Sequence, residues 1–268
     1  MNIIFLGDSV ISIGDIVTRK SHNNDIVFKV IKKEKNICYL KGVELRLLAD
    51  ADEKDLVKLE IKSVNCDYSY ADKVLDGRIL NRSDYFYLPG KILHIDGDSD
   101  YLKKCMEFYK KAHVLAFGKS INEKDMPNKI LGYLEEVKPD ILIITGHDAF
   151  YGRGKEDSKY KNSNNFIKTV RKAREYEKSN EGLIIIAGAC QSDYENLIKS
   201  GATFASSPKR VNIHALDPAI IAVTLSYADK SKEIDLIDIL SKTKYGPDGI
   251  GGIRTKGTMY IGYPRNGE

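Results

Sequence analysis

The chain has 268 residues, of which 42% are hydrophobic and 30% are charged, and this is enough to bury the core of one large domain and a smaller one. Its net charge of +4 comes from 42 basic and 38 acidic residues that are mixed along the chain, which argues against a nucleic-acid-binding surface. No segment has the apolar length required to cross a bilayer. We therefore expect neither a nucleic acid nor a membrane as a partner.

The beginning of the chain and its cysteines indicate the compartment. The opening stretch, MNIIFLGDSVISIGD, lacks a basic region, and Asp8 interrupts an apolar run that is already too short for a signal peptide. The four cysteines, Cys38, Cys66, Cys105 and Cys190, form neither a CxxC pair nor a cluster with histidine at metal-ligand spacing. We expect a cytoplasmic protein with reduced thiols and without a structural zinc ion.

The first fifty residues are rich in short β-forming runs separated by turn residues. The runs predicted as strands are 15–17, 25–31, 37–41 and 43–47. Strands of this number and length are typical of a small SH3-like β-barrel, which we expect over residues 1–48. A connecting segment, partly helical around 53–58, is expected over 49–88.

The hydrophobic pattern changes after Pro89-Gly90, where apolar strands begin to alternate with amphipathic helices. The predicted strands are 91–95, 114–117, 141–144 and 183–186, and the predicted helices are 100–112, 130–137 and 164–178. This alternation indicates a doubly wound, mostly parallel α/β sheet covered on both faces, and we expect it to occupy residues 89–268. Ligands bind beyond the carboxyl ends of such strands.

Reactive side chains follow three of these strands. Asp96-Gly97-Asp98 follows the first strand, Gly146-His147-Asp148 follows the third, and Ala189-Cys190 follows the fourth. If the last two strands are neighbours, His147 and Cys190 lie close together at the same edge of the sheet. A histidine beside a cysteine favours the thiolate and can protonate a leaving amine, which is the chemistry of cysteine peptidases.

Each member of this pair could instead have a purely structural role. A cysteine after a buried strand is commonly a small core residue, and a histidine there is commonly a satisfied polar residue. The remaining candidates compete less well. Cys105 has core spacing in a helix, Cys38 lies in a barrel strand, and Cys66 lies in the connecting segment. His94 is expected to be packed in its strand, and His214 to border the site.

The order of the pair along the chain separates classes of enzyme. Amidotransferases and α/β-hydrolases place the nucleophile on a G-x-[SC]-x-G turn ahead of the histidine, whereas here the histidine comes first and the turn reads GACQS. Papain-like enzymes also have cysteine before histidine. The order strand-histidine, helix, strand-cysteine resembles that of the caspase-like peptidases.

Longer motifs give a closer resemblance. These are GDIVTRKS, PGKILHIDGDSDYLKKC, PDILIITGHDA, GACQSDYENLIKSGATFASSPKRVNIHALDP and GGIRTKG, and together they extend over Gly14 to Pro264. They resemble the YabG family of sporulation-specific peptidases. The resemblance implies a cysteine peptidase of the sporulating mother cell, associated with the spore coat, that processes coat and germination precursor proteins. It implies cleavage next to arginine or another basic residue, with His147 and Cys190 as the catalytic residues.

The backbone N–H groups of Cys190 and of the turn around Gly146 and Asp148 are expected to stabilise the oxyanion. The Asp148 side chain would repel an oxyanion unless it turns away, and it could instead orient His147. An arginine-directed site requires a carboxylate, and we expect Asp98 or Asp96 to supply it. Asp98 could equally cap the following helix.

Asp193 is a weaker candidate for the arginine pocket, because it could simply cap the helix after Cys190. The Gly152–Lys155 stretch fails the phosphate-loop pattern and is expected to be a basic loop beside the site. Self-cleavage at Arg78 or Arg82 is a further hypothesis.

A thiol–imidazole pair requires no metal or organic cofactor, so none is expected. The alternatives left open are a thiol amidohydrolase that is not a peptidase, and a non-catalytic spore coat scaffold. The barrel is expected to recruit protein substrates.

Overall fold

The structure is a computed structural model, and it describes residues 4–6, 10–60, 71–72, 85–151 and 160–263. The chain divides into two compact units, Met1–Asp67 and Tyr68–Glu268. Within the described part of the chain, no helix combines the length and apolar character that a bilayer span requires. Four features discussed above lie outside the described residues: Cys66, Arg78, Arg82 and the basic loop at 152–155.

The first unit is built on a six-stranded antiparallel sheet. Its strands are β1 (Ile4–Leu6), β2 (Ile16–Arg19), β3 (Phe28–Glu34), β4 (Ile37–Gly42), β5 (Leu48–Asp52) and β6 (Leu56–Glu60). Their order is β1-β6-β2-β3-β4-β5. Alternate residues of β3 and β4, among them Phe28, Val30, Cys38 and Leu40, are fully buried in one core. Closure of this sheet into an SH3-like barrel stays a prediction.

The predicted boundaries in this unit are partly wrong. Residues 43–47 form a bend instead of a strand, and β5 begins at Leu48. The helical character expected around 53–58 is confined to a single 3₁₀ turn, Glu53–Asp55, and β6 follows it at once. Strands β5 and β6 were not recognised in the sequence because both contain charged residues. A strand with one face in solvent needs few apolar residues.

The second unit contains the parallel sheet. Its strands are β7 (Phe86–Leu88), β8 (Ile92–Asp96), β9 (Ala116–Ser120), β10 (Ile141–Thr145), β11 (Ile184–Ala187), β12 (Phe204–Ser206), β13 (Ile250–Gly252) and β14 (Tyr260–Gly262). The main sheet has the order β13-β12-β11-β10-β8-β9, in which β8 to β12 are parallel and β13 is antiparallel to β12. Strands β7 and β14 form a separate antiparallel ribbon.

Helices cover both faces of this sheet, as predicted. They are α1 (Ser99–Lys111), α2 (Met126–Val137), α3 (Ser163–Tyr176), α4 (Tyr194–Lys199), α5 (Asp217–Ser226) and α6 (Leu236–Ser241). Ile141 and Ile143 of β10 pack in a core with residues of α1, α5 and α6. Leu142 and Ile144 pack in a second core with residues of α2, α3 and α4. The all-apolar strands are therefore explained by burial on two sides.

The predicted elements of this unit agree with the structure to within about four residues, and one shift affects the site. The strand predicted over 114–117 runs from Ala116 to Ser120. Its carboxyl end consequently lies three residues further along the chain than the sequence pattern indicated.

Candidate active site

The three sequence-predicted groups follow one row of paired residues at the carboxyl edge of the sheet. Ile144 of β10 is in register with Ile95 of β8 on one side and with Ala187 of β11 on the other. Asp98, His147 and Cys190 each lie three residues beyond a member of this row. Strand β8 also marks the point where the strand order reverses, because β9 lies on one side of it and β10 on the other. Such a switch point is where α/β sheets bind ligands.

His147 is held at its backbone and at its ring. Its N–H donates to Glu123 Oε1 at 2.9 Å, and its carbonyl accepts from Asn162 Nδ2 at 2.8 Å. The ring Nε2 lies 3.2 Å from Asp98 Oδ2, in an ion-pair contact and not an aligned hydrogen bond. Nδ1 lies 3.7 Å from Glu123 Oε1. The imidazole is therefore placed between two carboxylates.

These carboxylates decide the charge of His147. Burial alone lowers the pKa of His147, but Asp98 and Glu123 outweigh burial and raise this pKa above its ordinary value. Burial likewise acts to raise the pKa of Glu123, and the contacts with His147 more than offset it, so that this pKa is lowered. The two carboxylates therefore favour the imidazolium form of His147.

Glu123 is the residue that sequence reasoning missed. It is buried and lies three residues beyond the end of β9. Gly97 and Gly146 leave room for it, because a Cβ at either position would approach Glu123 Oε1 to 2.2 and 2.6 Å. His147 was selected because it follows the carboxyl end of a parallel strand. The same rule would have selected Glu123 if the end of β9 had been predicted correctly.

Asp148 joins the histidine loop to the cysteine turn. Its Oδ2 accepts from the hydroxyls of Ser192, at 2.9 Å, and of Ser163. Its Oδ1 accepts from the N–H of Asn162 at 2.8 Å and of Ala149 at 2.9 Å. Burial outweighs these bonds and raises the pKa of Asp148. A carboxylate in this environment requires its donors, because unpaired burial of a charge is costly.

The two serine hydroxyls extend this network to both ends of the cysteine turn. Ser192 Oγ accepts from the Ala189 N–H at 2.9 Å, and Ser163 Oγ accepts from the Asp193 N–H at 2.8 Å. Ala189 and Asp193 bracket Cys190. The carboxylate of Asp148 thus fixes the turn that carries the thiol, and it points at hydroxyl and amide donors.

Cys190 lies on a turn with an uncommon backbone. Gly188 has φ of 104° and Gln191 has φ of 59°, a left-handed conformation that is rare for a residue with a side chain. The Gln191 N–H donates to Ser207 Oγ at 3.0 Å, which helps to hold this conformation. The Cys190 side chain is fully buried, and its Sγ accepts from the Ile213 N–H at 3.3 Å. The same sulfur lies 3.8 Å from the Ile213 carbonyl oxygen, to which a thiol can donate.

Asp98 and Asp96, one of which was predicted to bind the substrate arginine, both contact other groups of the protein. Asp98 Oδ1 caps α1 by accepting from the N–H groups of Asp100 and Tyr101, while its Oδ2 meets His147. Asp96 is fully buried. Its Oδ1 accepts from the Asp98 N–H at 2.9 Å, and its Oδ2 lies 3.5 Å from His94 Nε2. Both carboxylates therefore help to shape the loop that meets His147.

The other candidates are structural. Cys105 is buried in α1, where its thiol contacts the Ala215 carbonyl at 3.4 Å. His94 is buried between Tyr109 and Thr145, and Asp193 caps α4, as expected. His214 is buried next to Ile213, which contacts Cys190. In the described ranges, no group of three or more His, Cys, Asp or Glu side chains is arranged to hold a metal ion.

Comparison with known proteins identifies the class to which this fold and site belong. Residues 12–74 and 66–264 match the family model described as YabG peptidase U57. The chain is also 39% identical over 282 residues to the sporulation-specific protease YabG of Bacillus subtilis (strain 168), a similarity that covers 94% of this chain and 97% of that protein. The chain belongs to the YabG peptidase family, and the resemblance inferred from its motifs is confirmed.

Proposed function

We propose that this peptidase is a cysteine endopeptidase in which Cys190 is the nucleophile and His147 the proton-transfer group. The observation that carries the proposal is the common register of His147 and Cys190 beyond Ile144 and Ala187, on loops that Asp148 joins. The strand order and the sequence order of the two residues support a caspase-like enzyme.

The reaction then proceeds in two stages. The Cys190 thiolate attacks the scissile carbonyl, and His147 protonates the departing amine as the carbon–nitrogen bond breaks, leaving a thioester on Cys190. His147 next accepts a proton from water, whose oxygen attacks the thioester. The carbon–sulfur bond then breaks and the acid product leaves, which regenerates the Cys190 thiolate and the protonated His147 ring. We assign the proton transfers to Nδ1, since its neighbouring carboxylate oxygen, Glu123 Oε1, is 3.7 Å away, whereas Asp98 Oδ2 lies 3.2 Å from Nε2.

The backbone N–H groups of Cys190 and Gly146 are our proposed oxyanion donors. The carboxylate of Asp148 accepts from Ser163 and Ser192, so it is not required to face the oxyanion. We assign it the task of joining the two loops, in preference to a direct contact with the His147 ring.

The proposed substrates are proteins that contain arginine before the scissile bond. The Bacillus subtilis relative is a sporulation-specific protease. We propose that this chain cleaves spore coat and germination precursor proteins in the mother cell, and that it also associates with the spore coat. Self-cleavage at Arg78 or Arg82 belongs to the same proposal. The first unit is proposed to recruit substrates.

The proposal is tested with three fluorogenic peptides that differ only in the residue before the scissile bond. Arginine, its neutral analogue citrulline, and alanine are compared by their kcat/KM values. A carboxylate that reads the guanidinium is worth about 10- to 100-fold in favour of arginine over citrulline. Hydrolysis of small amides without peptide cleavage would instead indicate an amidohydrolase, and the absence of any turnover would favour a scaffold.

Asp98→Asn separates the two roles available to Asp98. Because its carboxylate lies against His147, we expect kcat to fall about 100-fold for the arginine and citrulline peptides alike. The exposed Asp100→Asn, in the first turn of the same helix, is the matched control and should retain activity. A loss confined to the arginine peptide would show instead that Asp98 binds the arginine side chain of the substrate. This is the role that the sequence analysis predicts for Asp98 or Asp96.

A further inference from the structure

Glu123 occupies a place in this site that neither the sequence motifs nor the known activity explains. Its carboxylate lies at the edge of the sheet between Gly97 and Gly146, and it contacts His147 twice, at the backbone N–H and near Nδ1. Burying a carboxylate costs free energy unless the carboxylate is paired and hydrogen-bonded. The two glycines are the residues that make this placement sterically possible.

We propose that Glu123 is a positioning residue that holds the His147 main chain in place and keeps its ring protonated. This inference rests on the proposed function, in which the ring of His147 transfers the proton. Two separate contacts support it. The 2.9 Å hydrogen bond to the His147 N–H holds the backbone from which the ring extends. The carboxylate near Nδ1 stabilises the charged ring.

In the described part of the chain, the charged or titratable side chains in contact with His147 come from three elements, and the proposed nucleophile Cys190 follows the neighbouring strand β11. Asp98 belongs to the loop between β8 and α1, Glu123 to the loop between β9 and α2, and Tyr101 to α1, with its ring centroid 5.8 Å from that of His147. The two carboxylates are the groups that raise the pKa of the His147 ring. Asp98 stays in place when Glu123 is altered, because its other oxygen caps α1.

Glu123→Gln provides the sharpest test, because glutamine has the same shape and can still accept the His147 N–H while it removes the negative charge. The His147 ring is followed by NMR titration of histidine-labelled protein, in a Cys190→Ala background that removes coupling to the thiol. The His147 signal is assigned by its loss in His147→Ala. We expect the titration midpoint to lie above 6.5 with Glu123 present and to move to lower pH in Glu123→Gln.

Gly97→Ala is the second variant, since its methyl group would push the Glu123 carboxylate away without changing any charge. It should move the midpoint in the same direction. Glu135→Gln, at an exposed position of α2, is the matched control and should leave the midpoint in place.

In the enzyme with Cys190 intact, Glu123→Gln should lower kcat about tenfold at pH 8 with little change in KM, because less of His147 is protonated there. The alkaline limb of the pH–rate profile should move to lower pH. A His147 midpoint that is the same in Glu123→Gln as in Glu135→Gln would overturn the proposal. The titration does not depend on catalysis, so it stands even if Cys190 proves not to be the nucleophile.

Discussion

Replacing Cys190 by alanine is expected to lower kcat/KM for an arginine peptide by roughly 10⁴-fold or more, because the nucleophile is removed and no other group can form the acyl intermediate. The fold should survive, since the thiol is a small buried group in the core and its loss costs only about 1 kcal/mol of unfolding free energy. The measurement is steady-state kinetics on purified protein, with far-UV circular dichroism and thermal unfolding as tests of integrity.

Cys105→Ala is the matched control for this variant. Both cysteines are fully buried, both belong to the same core cluster, and both have a sulfur contact with a backbone group. Cys105→Ala should therefore lose similar stability and keep its activity. Should Cys190→Ala retain more than about a tenth of wild-type activity, a threshold well above the loss expected for a nucleophile, the cysteine would be a core residue.

Asp148→Ala is expected to damage both stability and activity. The change leaves four donors without their acceptor, from Ser163, Ser192, Asn162 and Ala149, and the unfolding free energy should fall by roughly 3 kcal/mol or more. Activity should fall about 100-fold at a temperature where the variant is folded, because the cysteine turn is no longer fixed against the histidine loop. Chemical unfolding and kinetics at matched temperature measure the two effects.

Asp125→Ala controls for the loss of an aspartate from the same unit. Asp125 is exposed ahead of α2, and its side chain makes no capping hydrogen bond, so its replacement should change stability by no more than about 0.5 kcal/mol. Ser192→Ala should reproduce part of the Asp148→Ala effect, since it breaks the link to Ala189. An Asp148→Ala protein as stable and active as Asp125→Ala would contradict the joining role.

The parallel sheet and the residues after its strands could be predicted because both depend on local sequence. Runs such as 141–144 are aliphatic throughout, a pattern typical of strands buried on two faces. The residues that follow such a run are then fixed by their position. This reasoning selected Asp98, His147 and Cys190. Glu123 was missed because β9 was predicted to end at Phe117, whereas it ends three residues later, at Ser120.

The partners of Asp148 could not be predicted in this way. Ser163 and Ser192 are 15 and 44 residues away in the chain, and serine hydroxyls give no sequence pattern that marks a bond to a particular carboxylate. The role of Asp98 was ambiguous for the same reason: its cap of α1 is local and was foreseen, whereas its contact with His147 depends on the register of β8 with β10. Tertiary pairing decides such contacts.

The central claim is that Cys190 attacks the substrate with His147 as its partner. It is tested most directly by inactivating the protein with a peptidyl-arginine acyloxymethyl ketone and locating the adduct by peptide mass spectrometry, in wild type, His147→Ala and Cys105→Ala. We predict one adduct, on Cys190, in wild type and Cys105→Ala, and almost none in His147→Ala. Inactivation with the adduct on another residue, or equal labelling of Cys190 when His147 is absent, would contradict the account.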